Sequence, residues 1–96
     1  MMYFIYLCNR IQNQIDMFKN KTIVYTSGTF DMFHYNHLRM INYARSLADI
    51  LIVGVSTDEL VMSYKDKPVI PFQERLQIIE ALKTPDIVIP QHTLDH

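Results

Sequence analysis

Residues 50–55, Ile-Leu-Ile-Val-Gly-Val, run without a polar interruption. An apolar stretch of strand length with no alternation reads as a strand covered on both faces, the pattern of a parallel sheet. Upstream, Thr22-Ile-Val-Tyr25 is a short β-branched and aromatic run closed by Ser27-Gly28, which reads as a second buried strand and its turn. Between the two, over residues 37–48, Leu38, Ile41, Ala44, Leu47 and Ala48 recur at helical spacing, and Arg39, Asn42 and Arg45 take the other face. Strand, helix and parallel strand make a βαβ unit, for which the right-handed crossover is expected.

The same logic repeats downstream. Residues 56–64 read as a short helix capped by Ser56 or Thr57, with Asp58 and Glu59 in its first turn. A loop follows. Residues 71–83 then place Phe72, Leu76, Ile79 and Leu82 on one face, with Pro71 suited to the helix start. Thr84-Pro85 ends that helix, and residues 86–90 form a third short apolar strand. The order β-α-β-α-β predicts an α/β fold, a Rossmann-like doubly wound parallel sheet. Residues 1–20 read as an N-terminal extension and residues 21–96 as the domain.

Ninety-six residues allow one small domain or part of one. Hydrophobic residues at 49% and charged ones at 20% suit a packed core and not a disordered chain. A net charge of −1 gives no electrostatic case for nucleic acid. The single cysteine, Cys8, sits among apolar residues and reads as an inert thiol in a reducing compartment. The apolar N-terminal run is eight residues long, against about 20 for a membrane span. No basic segment precedes it and no cleavage site follows, so the expectation is a cytoplasmic protein that does not contact membrane.

The segment Ser27-Gly-Thr-Phe-Asp-Met-Phe-His-Tyr-Asn-His37 joins the first strand to the first helix. In an α/β sheet, ligands sit beyond the carboxyl ends of the strands. A helix start there offers backbone N–H groups and the positive dipole end, which attract phosphate. His34 and His37 would add donors. With two glycines in the chain, neither a GxGxxG nor a GxxxxGK[ST] cradle exists. Plainer roles stand beside these: the two histidines as ordinary helix-start residues, Lys65 and Lys67 as solvated loop lysines, Asp31 as a brace of the turn. Arg75 reads as a partner of Glu74, Asp58 or Glu59. His92 and His96 form a second pair, but no cysteine or close carboxylate completes a zinc set, so no metal ligands are assigned.

The segment Gly28-Thr-Phe-Asp-Met-Phe-His-Tyr-Asn-His37 resembles the GTFD…HxGH signature of the cytidylyltransferase-like nucleotidyltransferases, among them the glycerol-3-phosphate enzymes. The likeness runs in register to Pro90. It implies CMP transfer from CTP to a small phosphomonoester such as glycerol 3-phosphate, phosphocholine or phosphoethanolamine, with release of pyrophosphate. An ATP-using adenylyltransferase and a truncated, non-catalytic nucleotide-binding remnant are the alternatives. The resemblance further implies that Gly28, Thr29 and Phe30 lie along the nucleotide and that His34 and His37 hold the triphosphate. Lys65, and Lys67 beside it, would bridge the phosphates. Mg2+ would accompany the nucleotide, and the enzyme would be a homodimer. A histidine held protonated by phosphate suits this chemistry.

Two departures carry expectations of their own. Asn36 stands where the signature has glycine, so a nucleotide-binding residue now brings a side chain into the space a nucleotide would use. The family's later G-D-D-W-like and R-T-x-G-x-S-T-T segments do not occur in residues 1–96. The first strand is then expected to be an open apolar edge, covered by the N-terminal run or by a second chain, unless the sequence is a piece of a longer enzyme.

Overall fold

A computed structural model describes residues 4–7, as backbone, and residues 21–93. Cys8 and His96 lie outside the described residues. One mixed sheet is present, with strands β1 (Phe4–Leu7), β2 (Ile23–Gly28), β3 (Ile50–Ser56) and β4 (Ile87–Gln91) in that spatial order. Strands β2, β3 and β4 are parallel, whereas β1 runs antiparallel to β2, Phe4 opposite Ser27 and Leu7 opposite Val24. The predicted α/β class with a parallel sheet is what the fold shows. The open-edge expectation is resolved at the same place: part of the apolar N-terminal run pairs with β2.

Three helices connect the parallel strands: α1 (Tyr35–Ser46), α2 (Asp58–Met62) and α3 (Phe72–Glu80). Helix α1 begins two residues before the predicted start, because His34 caps it, and Leu47 is its exposed C-cap instead of a core residue. Thr57, not Ser56, caps α2, its hydroxyl accepting from the Leu60 N–H at 3.2 Å. Among the described residues no helix is long and apolar enough to cross a membrane.

The core lies on one side of the sheet. Val24, Leu51, Val53 and Val55 meet Ile41 and Ala44 of α1 and Ile79 of α3. Two right-handed crossovers that advance in one direction place both helices on the same face. Burial of β3 is therefore unequal: Leu51, Val53 and Val55 are fully buried, and Ile50 and Ile52 are half-buried. On that second face Gly54 is needed for close packing, since a Cβ there would collide with the Tyr25 hydroxyl and lie 2.9 Å from its Cζ. The outer edge of β4 carries Pro90, a residue that cannot donate to another strand.

Arg45, predicted on the solvent face, instead ties together the amino-terminal ends of the strands. It donates to Asp86 Oδ2 and the Asp49 carbonyl, both at 2.6 Å, and to the Thr84 and Ala48 carbonyls, both at 3.2 Å. Asp86 Oδ2 also accepts the Leu51 N–H at 2.8 Å. One arginine thus joins the end of α1 to the starts of β3 and β4.

Candidate functional site

At the opposite, carboxyl end, β2 runs into the turn Thr29 to His34. Phe30 and Met32 adopt φ of 55° and 52°, a left-handed conformation that side chains other than glycine rarely take. Phe30 is 2% exposed, its ring folded back over Gly28, where a Cβ would sit 3.2 Å from the ring. Any contact of Phe30 with a ligand is therefore through its main chain.

His34 and His37 act as a reciprocal cap of α1. The His34 Nδ1 accepts the Asn36 N–H at 3.2 Å, and the His37 Nδ1 accepts the His34 N–H at 3.2 Å. This is a capping box built from imidazoles. The rings stack at a centroid distance of 4.0 Å and an interplanar angle of 22°. Phe30 stands edge-on to His37 at 5.6 Å and Phe33 lies at 5.4 Å, so the buried ring is walled on three sides.

The cap determines the tautomer. A nitrogen that accepts a backbone N–H carries no proton, so in both neutral rings the proton sits on Nε2. Neither Nε2 has a hydrogen-bond partner among the described residues. Burial, then the neighbouring His34, lower the His37 pKa below its ordinary 6.5, with Asp31 pulling weakly the other way. The surroundings of His37 thus favour the neutral ring, with Nε2–H as its donor. The plain reading and the phosphate reading are compatible, because capping uses Nδ1 and leaves Nε2.

The predicted role of the helix-start amides changes too. Those of Asn36 and His37 are taken by His34, through Nδ1 and through its carbonyl at 3.0 Å. Imidazole edges, not these two amides, are what the turn offers an anion.

Thr29 is 2% exposed, and its hydroxyl lies 3.5 Å from the Tyr64 hydroxyl. Its expected phosphate contact requires Tyr64 to give way. The same contact brings the lysine loop beside the turn, since Lys65 follows Tyr64 and its Nζ lies 6.0 Å from that ring's centroid. Both Lys65 and Lys67 are exposed. The structure therefore groups Gly28, Thr29, Phe30, His34, Asn36 and His37 on one turn, with the lysines on the adjoining loop.

Two residues that sequence reasoning left with local roles hold these parts in place. Arg75 is fully buried. It donates to the Thr29 and Ser56 carbonyls, both at 2.7 Å, to the Ile70 carbonyl at 2.9 Å and to Asp58 Oδ1 at 2.6 Å. Its ion pair is with Asp58. The carboxylate of Asp31 accepts the Val69 and Ile70 N–H groups at 2.8 and 2.9 Å, joining the turn to the far end of the lysine loop. Nothing in local sequence signals the Arg75–Thr29 or Asp31–Val69 link, because these partners lie 46 and 38 residues away.

A β-strand leading to a histidine-capped helix, with a basic loop pinned beside it at the sheet's carboxyl edge, defines the α/β class of this protein. The sequence matches the cytidylyltransferase-like family over residues 25–95, and the chain belongs to that family. The ethanolamine-phosphate cytidylyltransferase of Arabidopsis thaliana is 46% identical over 66 residues, 69% of this chain and 16% of that protein. The glycerol-3-phosphate cytidylyltransferase of Bacillus spizizenii is 41% identical over 68 residues, 71% of this chain and 53% of that one. Among solved structures, the lipopolysaccharide core biosynthesis protein of Thermoplasma volcanium superposes with a TM-score of 0.66 at 30% identity, over 69% of this chain and 54% of that one. The chain thus spans about half the length of the glycerol-3-phosphate relative and under a fifth of the ethanolamine-phosphate one.

Proposed function

We propose that the turn binds the phosphates of a nucleoside triphosphate, CTP first, and that the family reaction is nucleotidyl transfer to a small phosphomonoester. The observation that carries this reading is the pair of stacked imidazoles with both Nδ1 atoms engaged and both Nε2 atoms free. Two imidazole N–H donors at a helix N-terminus suit phosphate oxygens. An oxygen of the phosphomonoester attacks the α-phosphorus, the bond to the β-phosphate oxygen breaks, and pyrophosphate leaves. No covalent enzyme intermediate is needed. The protein's part is positioning and charge stabilisation. His34 and His37 donate to the phosphates, and Lys65 or Lys67 swings in to meet the α-phosphate and the incoming phosphate.

Mg2+ belongs with the nucleotide in this reading. No group of three metal-ligating residues exists among the described ones, and both Asp31 oxygens are occupied by backbone N–H groups. Mg2+ would supply charge neutralisation on the triphosphate. The relatives that act on ethanolamine phosphate and glycerol 3-phosphate support acceptors of that size. A homodimer is the assembly proposed, which sedimentation checks, and the single cysteine suits the cytoplasm.

Calorimetric titration of the chain with CTP and with ATP, each with Mg2+, tests the site beside a His34→Ala, His37→Ala double variant. The expected result is CTP binding that the double variant loses. A folded chain that binds neither nucleotide would sink the proposal. Asn36 at the signature glycine position favours one second reading, nucleotide binding without turnover. Pyrophosphate release with the candidate phosphomonoesters separates the two.

A further inference from the structure

We infer that β1 is part of the site's machinery: it braces the carboxyl end of β2 and thereby holds the histidine turn in its binding shape. The argument begins with register. Ser27 is paired on one side with Gly54 of β3 and on the other with Phe4 of β1. Thr29 follows two residues later, and Phe30 and Met32 then take their left-handed conformations. A side chain in that conformation is disfavoured relative to the right-handed one, and it persists where the surroundings over-determine it.

The surroundings on the β3 side are plain. Arg75 holds the Thr29 carbonyl, and Asp31 is clamped to the Val69 and Ile70 amides. On the opposite side of β2 the sheet partner is β1. Because β1 is antiparallel, its amino end and the carboxyl end of β2 lie together, beside the turn. Four paired residues, Phe4 to Leu7 against Ser27 to Val24, fix that end of β2 against lateral movement. Among the described residues no other strand flanks β2 on that side, and edge strands fray and pair with other chains.

The consequence rests on the nucleotide reading above: a turn that samples its binding shape less often binds CTP more weakly in proportion. Antiparallel geometry supplies a test inside the full chain. Of two successive residues in such a strand, one N–H faces the partner and the next faces away. Proline fits an extended edge strand but removes one N–H. Ile5→Pro and Tyr6→Pro therefore form a matched pair, in which one variant loses a bond to β2 and the other does not.

The variants are compared by amide exchange of residues 24–27 and by calorimetry with CTP and Mg2+. One proline is expected to speed exchange at these positions and weaken CTP binding about tenfold, as for a turn competent a tenth of the time. Its neighbour leaves both unchanged, and the thermal midpoints stay alike. Two prolines without effect on either readout overturn the brace. Equal loss in both, with a lowered midpoint, assigns β1 to general stability and overturns it too. If the parent chain binds no CTP, the nucleotide reading fails, and the exchange pair still decides whether β1 braces β2.

Discussion

Asn36 stands in the first turn of α1 with an ordinary helical backbone, since Phe30 and Met32 are the non-glycine residues of positive φ among those described. The glycine of the family signature is therefore not needed here for a left-handed φ. What it lacks is a side chain, and Asn36 restores one at an exposed position of the candidate site. Asn36→Gly is expected to tighten CTP binding roughly fivefold, about 1 kcal/mol, by removing that obstruction. It should also lower stability by about 0.5–1 kcal/mol, because glycine weakens a helix. Calorimetry and urea unfolding read the two opposed effects. Arg75→Met strands three carbonyls and the Asp58 carboxylate, and should cost more than about 3 kcal/mol by urea unfolding. Arg75→Lys keeps the charge but not the planar fork, so rescue should be partial.

At the scale of elements, β2 contains an uncompensated group. Thr26 is fully buried and its hydroxyl has no hydrogen-bond partner among the described residues. Valine has nearly the same shape without the hydroxyl, so Thr26→Val should raise stability by about 1 kcal/mol in thermal or urea unfolding. Helix boundaries follow the same distinction between local and distant causes. The period of Leu38, Ile41 and Ala44 marks α1 in the sequence, but its start depends on two imidazoles hydrogen-bonding backbone amides, for which composition gives no cue. Strand β1 was legible as an apolar run able to cover the edge of β2, but its direction and register were not. Four residues do not declare a strand, and only the unpaired edge of β2 makes them one.

For the whole molecule, two arginines secure opposite ends of the sheet. The amino-terminal one, through Asp86, makes stability respond to acid. Burial pushes the Asp86 carboxyl upward, but the Leu51 N–H and Arg45 outweigh it and hold the pKa below the ordinary 3.8. The charged form favours the fold, so this contribution is complete above pH 3.8 and is lost as pH falls through the lowered folded value. For an exposed pair it should be at most about 1 kcal/mol. His37 acts in a higher window with the same sign. Its lowered pKa makes the neutral ring part of the fold, so stability holds above pH 6.5 and declines as pH falls through the folded value. Urea unfolding across pH 3 to 8 should show both declines, with Asp86→Asn removing the lower one and His37→Gln the upper.

The parallel α/β order, the positions of β2, β3 and β4, and the nomination of His34 and His37 were all legible in the chain. Apolar periodicity and a strand-to-helix turn are local properties, written in consecutive residues. The tertiary structure alone decided which imidazole nitrogen is free, that Arg75 and Asp31 hold the turn to its loop, that Arg45 serves the sheet and not the solvent, and that β1 runs antiparallel to β2. Each of these depends on a hydrogen-bonding group finding a partner brought close by folding, and no spacing along the sequence records which partner that will be.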